Sequence, residues 1–220
     1  MSILDNVSRI LSEISPDVTV VAAAKTRTPQ EISEAIAAGI FHIGENYVQE
    51  AILAKEAVSY PASWHFIGHL QRNKVKDAIK VFDMIQTVDS LRLAREIDKR
   101  ARNEGLRIPV LIEINSARET QKSGVFPEDA RALVEEISSL GNIVIRGLMT
   151  MGPFLDSPEE IRPYFRLTRD LYNKLRKLET ENADFSILSM GMSDSYQIAI
   201  EEGANMVRIG TAIFGPRPDK

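Results

Sequence analysis

Short apolar runs alternate with helical patterns along almost the whole chain, and this alternation leaves few folds open. The runs fall at 17–24, 40–43, 63–67, 81–87, 108–114, 143–148, 185–188 and 205–209. Each but the last is followed by a clear helical segment. Strict βα alternation without a break in composition predicts a parallel sheet. Eight such units predict one closed (β/α)8 barrel, a TIM barrel, formed by residues 1–220 as a single domain. A doubly wound open sheet is the alternative. An additional helix precedes the first strand, with Ile3, Leu4, Val7, Ile10, Leu11 and Ile14 on one face and Pro16 as its stop.

The helix starts carry their own signals. Thr28 followed by Glu31 reads as a capping box, with Pro29 at the first helical position and Gly39 closing the helix. Ser157-Pro158-Glu159-Glu160 repeats that signal, and Pro163 inside the following pattern predicts a kink or a later start. Asp89 is expected to cap the fifth helical segment, Pro127 to open the next, and Ser193 to open the one after strand seven. The tail, Pro216 to Lys220, is expected to fray.

Composition mainly excludes. A net charge of −4 gives no global reason to expect nucleic acid or an anionic membrane as partner. No apolar run approaches the roughly 20 residues a membrane span needs, and the first helix lacks the shape of a signal peptide. With no cysteine there is no disulfide, thiol nucleophile or thiolate metal site, and a cytoplasmic location fits. His65 and His69 are four apart, but they fall in strand and loop, and Phe66 stands where a zinc protease motif needs glutamate. A metal enzyme is not expected.

In a barrel of this kind the strand ends converge on one mouth, where ligands bind. Lys25 ends the first apolar run, and an ammonium desolvated there releases its proton more readily, leaving an amine that attacks carbonyls. Read on its position alone, it is more readily a surface lysine of a βα loop. Ser189-Met190-Gly191-Met192-Ser193 ends strand seven, and Gly210-Thr211 follows strand eight. Glycines, hydroxyls and helix N-termini on these two strands predict a phosphate cup built by Ser193, Gly210 and Thr211. Arg208 lies inside strand eight, where a buried charge needs a partner, either a structural salt bridge or the nitrogen of a ring-shaped ligand. A nitrogen facing a protonated arginine stays unprotonated, which weakens the ring as an electron sink. His65 is as readily a core residue as a ligand contact, and His69 sits nearer the mouth. Arg72, Lys74 and Lys76 read as a solvated helix face.

Five segments together resemble the pyridoxal phosphate homeostasis protein family, relatives of the alanine racemase N-terminal domain. They are Ala24-Lys25-Thr26, Gly44 to Glu50, Trp64 to Lys74, Leu188 to Asp194 and Val207 to Gly215. The resemblance implies a fold-type III barrel holding pyridoxal 5′-phosphate as a Schiff base on Lys25. Arg208 would face the pyridine nitrogen, and Ser193, Gly210 and Thr211 would hold the phosphate. Asn46 is expected to contact the cofactor, and His65 and Met190 complete the candidate set. Arg27 departs from the lysine the family often has two places after the Schiff-base residue, and Lys122 is a candidate for cofactor transfer. The implied function is binding, buffering and supply of pyridoxal phosphate, with apo-enzymes that use it as partners and without robust catalysis. The alternative is an amino-acid racemase, which needs acid–base groups on both faces of its substrate. Alanine racemases of this type take one from a second domain. The chain ends just after strand eight, so that domain is expected to be absent and the protein to be a monomer.

Overall fold

The structure is a computed structural model that describes residues 2–153, 155 and 157–216. Its strands are β1 (Thr19–Ala23), β2 (His42–Glu45), β3 (Ser63–Phe66), β4 (Met84–Val88), β5 (Ile108–Glu113), β6 (Ile143–Met149), β7 (Ala183–Ser189) and β8 (Met206–Ile209). They pair in parallel in chain order, and β8 returns to β1 through Thr19↔Met206 to Ala22↔Ile209. The sheet is therefore a closed barrel, and the open doubly wound arrangement is excluded.

Helices cover the outside: α1 (Ile3–Glu13), α2 (Pro29–Ala37), α3 (Val48–Ala57), α4 (Val75–Val81), α5 (Leu91–Glu104), α6 (Ala130–Ser138), α7 (Arg162–Leu175), α8 (Tyr196–Glu201) and α9 (Thr211–Phe214). Side chains at alternate strand positions build two different interiors. Val20, Ala22, Ile43, Trp64, Phe66, Ile85, Ile112, Leu148 and Val207 join the helices in one large apolar layer outside the sheet. Inside the barrel, Met84, Leu111 and Met149 form a small separate cluster with Ile187 against them. The rest of the lumen is largely polar.

The segment after β8 is only a four-residue helix, too short to cover its share of the sheet. The N-terminal helix makes up the difference. α1 packs between α2 and α9, with Val7 and Ile10 fully buried, and Asn6 donates from Nδ2 to the carbonyl of Ile213 at 2.9 Å. Its Ser2–Asp5 capping box fixes its start. Elsewhere in the ring, Arg162, Arg166 and Arg169 of α7 converge on the buried carboxylate of Glu202, just past α8.

Several element ends differ from the sequence reading, each for a local reason. Ile40 still belongs to the close of α2, its N–H reaching the carbonyl of Ala35, so β2 starts at His42. Val81 ends α4, so β4 starts at Met84. The cap of α5 is Ser90, not Asp89; its side chain accepts from the N–H of Leu93. The helix after Pro127 begins only at Ala130. Ser157 makes no side-chain cap: residues 158–161 form a 3-10 turn, and the α-helix starts at Arg162 with Pro163 in its first turn. Thr28 and Glu31 do form the expected reciprocal box. Of the tail, residues 217–220 lie outside the described residues.

Because α1 completes the helical ring, its buried face bears on the stability of the whole barrel. Ile10→Ala is expected to lower the unfolding free energy by about 2–5 kcal/mol in denaturant titration, the range for a fully buried aliphatic side chain. Leu4→Ala, on the exposed side of the same helix (59% exposed), is expected to change it by less than about 0.5 kcal/mol.

Candidate functional site

Lys25 stands where the inward row of β1 reaches the rim. Val20, Ala22 and Ala24 belong to the outer apolar layer, so Val21, Ala23 and Lys25 alternate to the inside. Lys25 is half-buried, with Nζ 5.2 Å from the centre of the Tyr47 ring. The chain turns sharply right after it. Thr26 has φ +67°, a left-handed conformation that β-branched residues seldom adopt. Its N–H donates to the Glu50 carboxylate at 3.3 Å, and the N–H of Arg27 donates to the carbonyl of Ala24 at 2.8 Å. Arg27 is bound to the far end of the chain. It donates to the carbonyls of Gly215 and Pro216, pairs with Glu31 at 3.1 Å, and stacks on Phe214. It clamps the segment after α9 onto the βα turn that carries Lys25.

Ser193, Gly210 and Thr211 do lie together, in a different arrangement from the one expected. Ser193 does not open α8, which starts at Tyr196. Its Oγ instead accepts from the N–H groups of Gly210 and Ala212, both at 3.2 Å. Both N–H groups of the turn after β8 are thus committed to Ser193 Oγ, which fixes that hydroxyl against the turn and leaves its own proton to be donated outward. Gly210 has φ −112°, and a Cβ there would meet nothing closer than 3.4 Å. Packing therefore does not require this glycine. Thr211, exposed, begins α9.

Arg208 is 4% exposed and points into the lumen. It donates to Ser189 Oγ at 2.6 Å and to the carbonyl of Thr150 at 2.8 Å. Burial pushes its pKa down to about 10, partly offset by the nearby Glu113, so it keeps its proton at neutral pH. From Ser189 a hydrogen-bonded chain crosses the lumen. Ser189 Oγ donates to Gln86 Oε1 at 2.7 Å, and Gln86 Nε2 lies 3.0 Å from His65 Nδ1. His65 Nε2 lies 3.0 Å from His42 Nδ1 and 3.3 Å from Ser63 Oγ. His65 is therefore a lumen residue below the rim, tied to Arg208 through two side chains. Burial pushes its pKa down to about 3, with His42 as a second cause.

The remaining candidates separate. Asn46 follows β2 directly and is half-buried, and its backbone abuts Gly68, where a Cβ would fall 2.3 Å from the Asn46 carbonyl. Met190 is fully buried in the apolar layer outside the sheet, so its side chain is on the opposite side of the strand from the lumen. Lys122 pairs with Glu119 at 2.5 Å. His69 Nδ1 lies 3.0 Å from Ser123 Oγ, drawing the loop after β5 over the mouth. The mouth holds a cavity of about 320 Å³ whose lining includes Gly68, His69, Glu113, Asn115, Lys122 and Met192 but neither Lys25 nor Arg208.

Two buried carboxyls went unremarked in the sequence. Glu113, the last residue of β5, is 4% exposed and lines that cavity. Burial and the Asp89 charge push its pKa up to about 7, against the pull of Arg208. Glu45, just before Asn46, is 1% exposed; burial and Glu50 raise it to about 8, and its Oε2 has no hydrogen-bond partner among the described residues. A signal was available in both cases: Glu113 is an acidic residue inside an apolar run, and Glu45 stands two residues past the end of another.

Among the described residues no group of three acidic or histidine side chains could hold a metal ion, and no helix is long and apolar enough to cross a membrane. The family model described as the alanine racemase N-terminal domain matches residues 2–218. The pyridoxal phosphate homeostasis protein of Aquifex aeolicus is 44% identical over 196 residues, covering 89% of this chain and 85% of the relative. A solved structure of PipY from Synechococcus elongatus, with PLP bound, superposes with a TM-score of 0.89 at 33% identity, over 97% of this chain and 100% of that one. Alanine racemase of Clostridium difficile gives a TM-score of 0.82 at 19% identity, over all of this chain and 57% of that one, a likeness of fold.

The buried carboxyls have a measurable consequence. Glu45 holds a proton in the folded chain up to about pH 8 and releases it in the unfolded chain above its ordinary 4.5, so stability falls as pH rises through that window. Glu113 acts in the same sense up to about 7. His65 acts only below its ordinary 6.5, where the unfolded ring takes a proton that the folded one refuses. The melting temperature is therefore expected to decline from pH 6.5 to 8, and Glu45→Gln to flatten most of the decline. A wild-type melting temperature constant over that range would contradict the assignment.

Proposed function

The chain belongs to the pyridoxal phosphate homeostasis protein family, and on that premise we propose that it holds pyridoxal 5′-phosphate as a Schiff base on Lys25 and buffers and supplies that cofactor without robust catalysis of its own. One observation carries the reading: Lys25, Arg208 and the turn after β8, with Ser193 bonded to it, lie together on the paired strands β1 and β8 and the end of β7. The residues fit the group. An aldehyde would meet the Lys25 amine, a ring nitrogen the Arg208 guanidinium, and phosphate oxygens the Ser193 hydroxyl proton and the Gly210-Thr211 turn bonded to it. When bound, the group supplies a reactive aldehyde and an electron-withdrawing ring. The chain's part is to anchor it at three points and to keep Arg208 protonated, which leaves the ring nitrogen without its own proton. Asn46 is held against Gly68 at the same edge.

The names of the relatives support homeostasis rather than turnover, and a weakened electron sink accords with it. In this reading the protein works as a monomer in the cytoplasm and supplies apo-enzymes that use the cofactor. The absence of cysteine accords with that compartment. Glu113 favours a second reading, amino-acid racemisation. A carboxyl near pH 7 at the mouth, on the strand opposite β1, is suited to proton transfer. A racemase assay separates the two, with no turnover above background expected for wild type.

The decisive test is absorption spectroscopy of wild type and Lys25→Ala with added pyridoxal phosphate, followed by borohydride reduction and peptide mapping. Wild type is expected to be yellow, with the reduced label on Lys25, and the variant to lack the band. A wild type that stays colourless and unlabelled would overturn the proposal.

A further inference from the structure

We propose that Gln86 is a positioning residue for Arg208, acting through Ser189, and that it sets a single hydrogen-bond direction from the rim of the barrel down to His42 at its floor. The inference rests on the reading of Arg208 as the residue facing the cofactor ring.

The argument is one of donors and acceptors. A guanidinium only donates, so Ser189 Oγ must accept from Arg208. That leaves the Ser189 hydroxyl proton free to point along the chain, and it is donated to Gln86 Oε1. The reverse amide orientation would make Ser189 accept twice and leave its buried proton without an acceptor, which is costly. With Oε1 committed, the Gln86 NH2 group faces His65 Nδ1 and Met206 Sδ, at 3.0 and 3.3 Å. His65 Nδ1 therefore accepts, and the proton of the neutral ring sits on Nε2. Nε2–H in turn donates to His42 Nδ1, which puts the proton of His42 on its own Nε2. Gln86 is fully buried on β4, across the lumen from β8, so this chain is the link between the β2–β4 wall and the arginine.

An amide suits the position because it accepts at one end and donates at the other. A carboxylate would accept at both ends and would require His65 to carry its proton on Nδ1. A methionine of similar length would neither accept nor donate, and Ser189 would be free to turn away from its present place. Arg208 would then keep only the carbonyl of Thr150 among these partners, and its aim at the ring nitrogen would loosen.

Two measurements test this. Nitrogen-15 NMR of the imidazoles, in wild type without cofactor at neutral pH, is expected to show His65 and His42 both as Nε2–H tautomers. In Gln86→Glu, His65 is expected to carry a proton on Nδ1. A wild-type His65 protonated on Nδ1 would overturn the assigned direction. Titration with pyridoxal phosphate is expected to show about tenfold weaker binding and a displaced absorption band in Gln86→Met, the loss of one well-placed hydrogen bond. Gln86→Met with the wild-type affinity and band, and only a lowered melting temperature, would reduce Gln86 to a structural residue and overturn the positioning role. A wild type that takes up no pyridoxal phosphate would instead overturn the function proposed above, whereas the hydrogen-bond direction would still be decided by the NMR.

Discussion

A guanidinium sealed inside a barrel dictates much of what surrounds it. Arg208 can only donate, it is almost wholly withdrawn from water, and each unmet donor would cost more than a typical hydrogen bond contributes. The structure answers with acceptors from two strands, Ser189 Oγ at the end of β7 and the Thr150 carbonyl after β6, and with the negative field of Glu113 from β5. Those commitments spread outward. Thr150 also donates to the carbonyl of Ile114, so the rim on the β5–β6 side is fixed by the same need.

The lumen is divided accordingly. One part is a dry plug of Met84, Leu111, Met149 and Ile187, and the other is a run of polar side chains from Arg208 to His42. A closed barrel has no edge through which to solvate its inner polar groups, so the polar part must be paired within itself. Burial keeps His65 neutral, which suits a network that already contains one permanent positive charge. The rim differs from this depth: it carries a half-buried lysine, a left-handed threonine and a serine hydroxyl held by two backbone N–H groups.

Much of this was legible in the sequence, and the misses share a cause. The eight-fold alternation yields the barrel, and Lys25, Ser193, Arg208 and Gly210 fall at one rim because strand ends must converge there. The capping box at Thr28 is local chemistry and formed as read. The readings that changed needed knowledge of neighbours. Ser193 looks like a helix cap, but its hydroxyl is taken by donors 17 and 19 residues on, and Ser195 precedes the helix instead. Met190 lies in a motif at the mouth, but strand alternation turns its side chain outward. Gln86 and Glu113 are single polar residues in apolar runs; a one-dimensional pattern marks them as exceptions without saying what they face. Whether His65 was core or ligand contact stayed open in the sequence, because its partners lie on β2 and β4.

The ring of helices is closed by an element from the wrong end of the chain. α1 is synthesised first, yet part of the surface it covers belongs to α9, and Asn6 bonds across 207 residues to Ile213. During translation α1 can meet α2 early, but the side that faces α9 stays uncovered until the last βα unit emerges, and β1 keeps an open edge until β8 arrives. The last native contacts to form are among the most distant in sequence, so the nascent barrel spends its vulnerable period as an incomplete arc with a sticky helix at one end. Arg27 binds the carbonyls of Gly215 and Pro216, so the same late event also sets the turn beside Lys25. The surroundings of Lys25 are thus completed only when the two ends of the fold meet.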